Sequence, residues 1–148
     1  MDASLATAFS PDSVLLQRSA GSWREAIGLA GEGLTTAGIA TEGYTAAMIH
    51  AVEVNGPYIV IAPGFALAHA RPSEEVLRWG MSLVTLAEPV QFGADAHDPV
   101  YVVVGLAAVD KDQHIAALMA LGEKLADPEF VNSLLKLSRF DDLIHLLS

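Results

Sequence analysis

Apolar positions in the first half of the chain repeat at helical spacing and then give way to extended runs. Trp23, Ala26, Ile27, Ala30 and Leu34 recur three and four residues apart, which predicts one face of a helix. Ser22 and Glu25 stand at capping-box spacing at its start, and Gly38 ends it. A second helix is predicted over residues 41–54, with Tyr44, Ala47, Met48 and Val52 inward, stopping at Asn55-Gly56-Pro57. Ahead of both, residues 13–18, SVLLQR, read as a short first strand at a sheet edge. In the stretch NGPYIVIAPGFALAHARP, residues 58–62 and 65–69 form two extended runs divided by Pro63-Gly64. Side chains alternate along a strand, so Phe65, Leu67, His69 and Arg71 fall on one side, and Ala66, Ala68 and Ala70 on the other. Pro72 ends any ladder there and holds Arg71 extended.

Past Pro72, residues 73–78 predict one or two helical turns, with Ser73 as cap and Glu74 and Glu75 at the positive end. Residues 80–87 read as a strand and Glu88-Pro89 as a turn. Residues 100–108 are so uniformly Val, Leu and Ala that both faces of that strand must be covered, which requires helices on both sides of the sheet. A helix follows from Asp110 or Asp112 to about 126, with Ile115, Leu118, Gly122 and Leu125 as its stripe. Asp127-Pro128 opens another through 137, and Ser138 with Asp141 opens a last one that runs to the C-terminus. The predicted fold is α/β: a three-layer sandwich in one domain over residues 1–148, with a mixed sheet of about five strands flanked by helices.

Composition narrows the function. The 148 residues suffice for a real core. A hydrophobic content of 52% and a mean hydropathy of +0.40 are high, but Gly and Pro break the apolar runs and no membrane span emerges. The opening MDASLATAFS lacks a basic region followed by an apolar core, so a cytoplasmic protein without a secretion signal is expected. With no cysteine there is no disulfide, thiolate metal site or cysteine nucleophile. A net charge of -10 with eight Lys and Arg argues against nucleic acid as a partner. A local anion site stays open if those few cations are concentrated.

The five histidines therefore carry the chemistry. His145 lies in a last helical turn, where a cation is mildly favoured; His50 lies inside a helix among charged neighbours; His97 lies in the loop GADAHDP. Each is explained as a solvated surface residue. His69 can likewise be read as a half-buried strand histidine bonded to backbone. Against that stand Arg71 two residues on, the Pro63-Gly64 break ahead, and the small Ala68 and Ala70 beside it. His114 falls in the first turn of a helix that directly follows an apolar strand, a junction where α/β sheets place ligand sites and where the helix end favours an anion. Two histidines and an arginine converging there would suit a phosphoryl group: one imidazole attacks while the other and the guanidinium stabilise charge. A zinc site from His69, His114 and His97 is a rival without a short His-x-His or HExxH spacing, and a hydrolase has neither a GxSxG elbow nor a recognisable carboxylate pair.

GPYIVIAPG followed by AHARP, with WREAIGLAGEGL and YTAAMIHAV before it and QFGADAHDPV, DKDQHIAAL, DPEFVNSLL and FDDLIHLL after it, resembles the enzyme IIA domains of the bacterial phosphoenolpyruvate-dependent sugar phosphotransferase system. Within the mannitol and fructose class, the likeness is to the ascorbate-type branch. The resemblance implies that His69 accepts phosphate on Nε2 from phospho-HPr and passes it to a cysteine of an enzyme IIB partner, which serves a membrane enzyme IIC. It implies that His114 assists without being phosphorylated, and that neither cofactor nor metal is needed. A regulatory phosphohistidine module uncoupled from a transporter shares the same histidine. Ala68 stands where the family often has proline. Glu53 and Asn55-Gly56-Pro57-Tyr58 replace the mannitol branch's charged neighbours, leaving Arg71 for charge stabilisation. Phe65 and Leu67 are expected on an apolar rim around His69.

Overall fold

The most apolar run of the chain is the middle strand of the sheet. In the computed structural model, which describes residues 5–147, it spans Val100–Ala107, and every residue of it but Tyr101 is buried. Numbered in chain order, the strands are β1 (Val14–Arg18), β2 (Val60–Ala62), β3 (Phe65–His69), β4 (Gly80–Val90) and β5 (Val100–Ala107). The helices are α1 (Leu5–Ala8), α2 (Trp23–Thr36), α3 (Glu42–Asn55), α4 (Lys111–Leu125), α5 (Pro128–Leu135) and α6 (Phe140–Leu147). Ser148, where the last helix is expected to end, and residues 1–4 of the opening decapeptide lie outside the described residues.

The strands form one mixed sheet in the order β1-β4-β5-β3-β2. β1 with β4 and β3 with β5 are parallel; β4 with β5 and β2 with β3 are antiparallel. Alternation along β3 and β5 divides the core. Ala66, Ala68, Val103 and Ala107 meet α2 and α3, whereas Phe65, Leu67, Val102, Val104 and Leu106 meet α1, α4, α5 and α6. The three-layer α/β sandwich is thus the one that the uniform run over β5 requires. No helix among the described residues is long and apolar enough to cross a membrane.

Local signals place the elements. Ser22 caps α2 by accepting the Glu25 N–H at 3.2 Å, and Glu25 reaches back to the Gly21 N–H, one residue ahead of the expected capping-box partner. In the Pro63-Gly64 turn between β2 and β3, Gly64 adopts φ +76°, a conformation that side chains disfavour. β1 is an outer strand with an interruption: Gln17 takes φ 55° and gives its N–H to Thr85 Oγ1 at 2.8 Å, shifting the register between Leu15 and Arg18.

Three expectations about the elements need correction. Residues 73–78 are not helical: Val76 bridges Ala40, the Leu77 and Arg78 N–H groups donate to the Ile39 carbonyl at 2.8 and 3.2 Å, and Ser73 caps only a turn. Glu88-Pro89 is not a turn. β4 runs through it, because the β4–β5 register shifts between Thr85 and Val90 and no rung there needs the missing proline N–H. The inward stripe of α4 is Ala117 and Leu121 flanked by Leu118 and Leu125; Ile115 is 44% exposed and Gly122 is exposed. A further short helix, α1, buries Leu5 and Ala8 without any prior signal.

Candidate active site

β3 and β5 run parallel, so their C-terminal ends open at the same edge of the sheet, with His69 in register with Leu106. Beyond β5 the chain enters α4, where the Asp110 carboxylate accepts the Gln113 N–H at 2.8 Å and the Gln113 side chain accepts the Val109 N–H at 3.0 Å. That reciprocal cap fixes the first turn, whose last residue is His114. Its ring centroid stands 5.2 Å from that of His69 at an interplanar angle of 64°. Tyr58 meets the His69 ring edge-on at 5.6 Å and 85°.

The His69 Nδ1 lies 2.8 Å from the carbonyl oxygen of Leu67. A carbonyl only accepts, so Nδ1 carries the proton and Nε2 of the neutral ring keeps its lone pair. The Leu67 carbonyl is available because β2 is short. Pairing of β2 with β3 reaches Val60 and Ala66, with one further bond from the Leu67 N–H to the Ile59 carbonyl at 2.8 Å. Gly56-Pro57 then takes the chain away.

His114 is held below the ordinary histidine value of 6.5, first by burial and second by repulsion from His69. A neutral His114 can receive charge, either as a proton or by donating a hydrogen bond to an arriving anion. Both rings line a groove of about 1040 Å³ between α3, the end of β3 and the start of α4. Arg71 and Lys111 also line it, and neither enters an ion pair among the described residues. Two uncommitted cations beside two imidazoles make a place for an anion within an otherwise acidic chain.

Of the residues singled out in the sequence, His69, His114 and Arg71 meet in this groove. Arg71, however, lies beyond the end of β3 rather than on it. His97 is elsewhere: its carbonyl accepts the Gly64 N–H at 2.9 Å, just ahead of β3 and about 16 Å along the chain from His69 at roughly 3.3 Å per residue. Among the described residues no three His, Asp or Glu side chains cluster as a metal ion requires. Phe65 and Leu67, expected on the rim, are fully buried; the exposed apolar residues at the groove are Val54 (65%) and Tyr58 (46%). Glu53 pairs with Arg24 at 3.0 Å and approaches His50 Nδ1 at 3.8 Å.

Two contributors escaped sequence reasoning. Lys111 follows its cap directly, a signal that could have placed it beside His114. The Tyr44 hydroxyl spans sites far apart in the chain: it accepts the Ala70 N–H at 3.0 Å and donates to the Leu106 carbonyl at 2.6 Å. Nothing in the helical period of α3 announces that role.

Comparison with known proteins identifies the family. Residues 7–148 match the family model described as "Phosphoenolpyruvate-dependent sugar phosphotransferase system, EIIA 2". The ascorbate-specific PTS system EIIA component of Escherichia coli K12 is 43% identical over 102 residues, which are 69% of this chain and 66% of that relative. The solution structure of the mannitol-specific cryptic phosphotransferase enzyme IIA of Escherichia coli superposes with a TM-score of 0.85 at 36% identity, covering 98% of each chain. The mannitol enzyme IIA of Escherichia coli, solved in complex with phosphorylated enzyme IIB, superposes at 0.82 with 26% identity over 94% of this chain and 96% of that one. The chain therefore belongs to the EIIA 2 family of the phosphoenolpyruvate-dependent sugar phosphotransferase system.

Proposed function

We propose that this protein, as a single IIA domain of the cytoplasm, carries a phosphoryl group on His69 Nε2, taking it from phospho-HPr and giving it to a cysteine of an enzyme IIB partner that serves a membrane enzyme IIC in sugar uptake. The observation that carries the reading is the Leu67 carbonyl bond, which leaves Nε2 unprotonated beside His114. Family membership and a structural neighbour solved with phosphorylated enzyme IIB support it.

In the first step the Nε2 lone pair attacks phosphorus as the donor's N–P bond breaks, and that electron pair returns to the donor imidazole. In the second, the partner's thiolate attacks phosphorus, an S–P bond forms, and the N–P electrons return to His69. Neither step takes a proton from Nε2, so no general base is needed. Alignment of nucleophile and phosphorus, together with compensation of charge on the equatorial oxygens, is the catalytic task. His114 and Arg71 supply that compensation.

Incubation with phosphoenolpyruvate, enzyme I and HPr, followed by mapping of acid-labile phosphate, tests this. Label is expected on His69 and absent from His69→Ala. His114→Ala should keep some label while passing it on more slowly, and Arg71→Ala should lower the rate of labelling by about tenfold, as loss of one charge-assisted contact implies. Full labelling of His69→Ala would overturn the reading.

A further inference from the structure

The parallel register of β3 and β5 brings the Ala70 N–H and the Leu106 carbonyl to the place of the next rung after His69. The Tyr44 hydroxyl stands between them, accepting from the first at 3.0 Å and donating to the second at 2.6 Å. Its one proton is committed to Leu106, although the Ala70 carbonyl also lies 3.2 Å away. Tyr44 is 1% exposed and belongs to α3, in the layer facing Ala66 and Ala68. Burial pushes its phenol up to about 12, so the hydroxyl keeps its proton across the physiological range.

A hydroxyl between two strands is longer than a direct N–H to carbonyl bond. It therefore keeps β3 and β5 apart at the point where His69 leaves the sheet. The aim of the His69 ring depends on that backbone, since its Nδ1 proton is held by the carbonyl of Leu67 in the same strand. We propose that Tyr44 is a positioning residue for His69, a hydroxyl spacer between Ala70 and Leu106 that sets the strand geometry on which the Leu67 to His69 hydrogen bond and the exposure of Nε2 depend. The proposal rests on reading His69 as the phosphoryl carrier. Without the hydroxyl, Ala70 and Leu106 either close directly on each other or lose their partner, and either way the base of His69 moves. A displacement of about 1 Å at a reacting atom costs on the order of 100-fold in rate.

The variant is Tyr44→Phe, compared with Met48→Ala, which opens a buried site one turn along α3 in the same layer and leaves the Tyr44 hydrogen bonds to Ala70 and Leu106 in place. For Tyr44→Phe, labelling by phospho-HPr should fall about ten- to 100-fold in kcat with little change in KM. In nitrogen-15 spectra of the His69 ring, the predominance of the Nδ1-protonated tautomer should be lost. Met48→Ala should lose stability and keep both rate and tautomer. In the unmodified protein the Ala70 amide, one residue past the end of β3, should exchange with solvent as slowly as the amides of the β3–β5 ladder. Fast exchange of Ala70, or a Tyr44→Phe protein with unchanged kcat and tautomer, overturns the proposal. Should unmodified protein fail to take label on His69, the phosphocarrier reading falls instead, while the exchange and tautomer results still decide whether Tyr44 orients that ring.

Discussion

His69 and His114 stand close enough to feel each other's charge, and on the proposed phosphorylation of His69 that interaction would change sign. In the free protein, burial and the neighbouring imidazole both lower the His114 value from 6.5. A phosphoryl dianion on His69 would replace that repulsion with attraction while the burial stays, so the His114 value is expected to rise from its lowered position on phosphorylation; ring chemical shifts followed through a pH series check this. A stability effect accompanies the free state. Between the lowered folded value and 6.5 the unfolded chain binds more protons, so stability increases with pH through that window, is fully present above it and is lost as pH falls. Urea unfolding of His114→Gln should have a flatter acid limb than the parent, and identical limbs would contradict the assignment.

Among the elements, α2 decides how closely the layer beneath the groove packs. A Cβ on Gly31 would lie 2.4 Å from Thr45 Cγ2 and 2.7 Å from its Cβ, in α3, where a β-branched side chain has little room to yield. A Cβ on Gly28, one turn earlier, would meet nothing within 4 Å. Helix propensity favours alanine over glycine by about 1 kcal/mol at both positions. At Gly28 that gain should stand, whereas at Gly31 overpacking of about 1–3 kcal/mol should cancel or exceed it. Denaturant midpoints rising for Gly28→Ala and staying level or falling for Gly31→Ala are the expected result. Elements were legible where local chemistry decides: the Ser22 cap and the uniformly apolar β5 read directly from the residues, and the cap of α4 was narrowed to Asp110 or Asp112, of which Asp110 is the one that caps. They were illegible where distant contacts decide. Ile39 and Ala40 draw residues 76–78 into backbone bonding that local helix signals cannot outweigh. Pro89 is accommodated by a register shift that no local pattern records. The site shows the same division, since strand-end and helix-start signals brought His69 and His114 together, while the Tyr44 bridge joins residues 26 and 62 positions away.

Over the whole molecule, charge is polarised. The net charge is -10, yet Arg71 and Lys111 stand at the groove without an ion pair among the described residues, favouring an anion there while the remaining surface favours a basic partner face. Raising ionic strength from about 0.01 to about 0.5 M should slow the bimolecular phosphorylation rate by roughly tenfold or more, measured by rapid quench at fixed protein concentrations. A rate indifferent to salt would remove electrostatic steering from the account. The left-handed Gln17 in β1 has a consequence for solubility. Edge strands with unpaired backbone groups are templates on which further chains add, and a protein this apolar would be exposed to that hazard. Here one margin of the sheet is bent at Gln17, with its amide committed to Thr85, and the opposite margin is only three residues long. Neither offers a straight row of free donors and acceptors, so concentrated solutions should resist fibril growth.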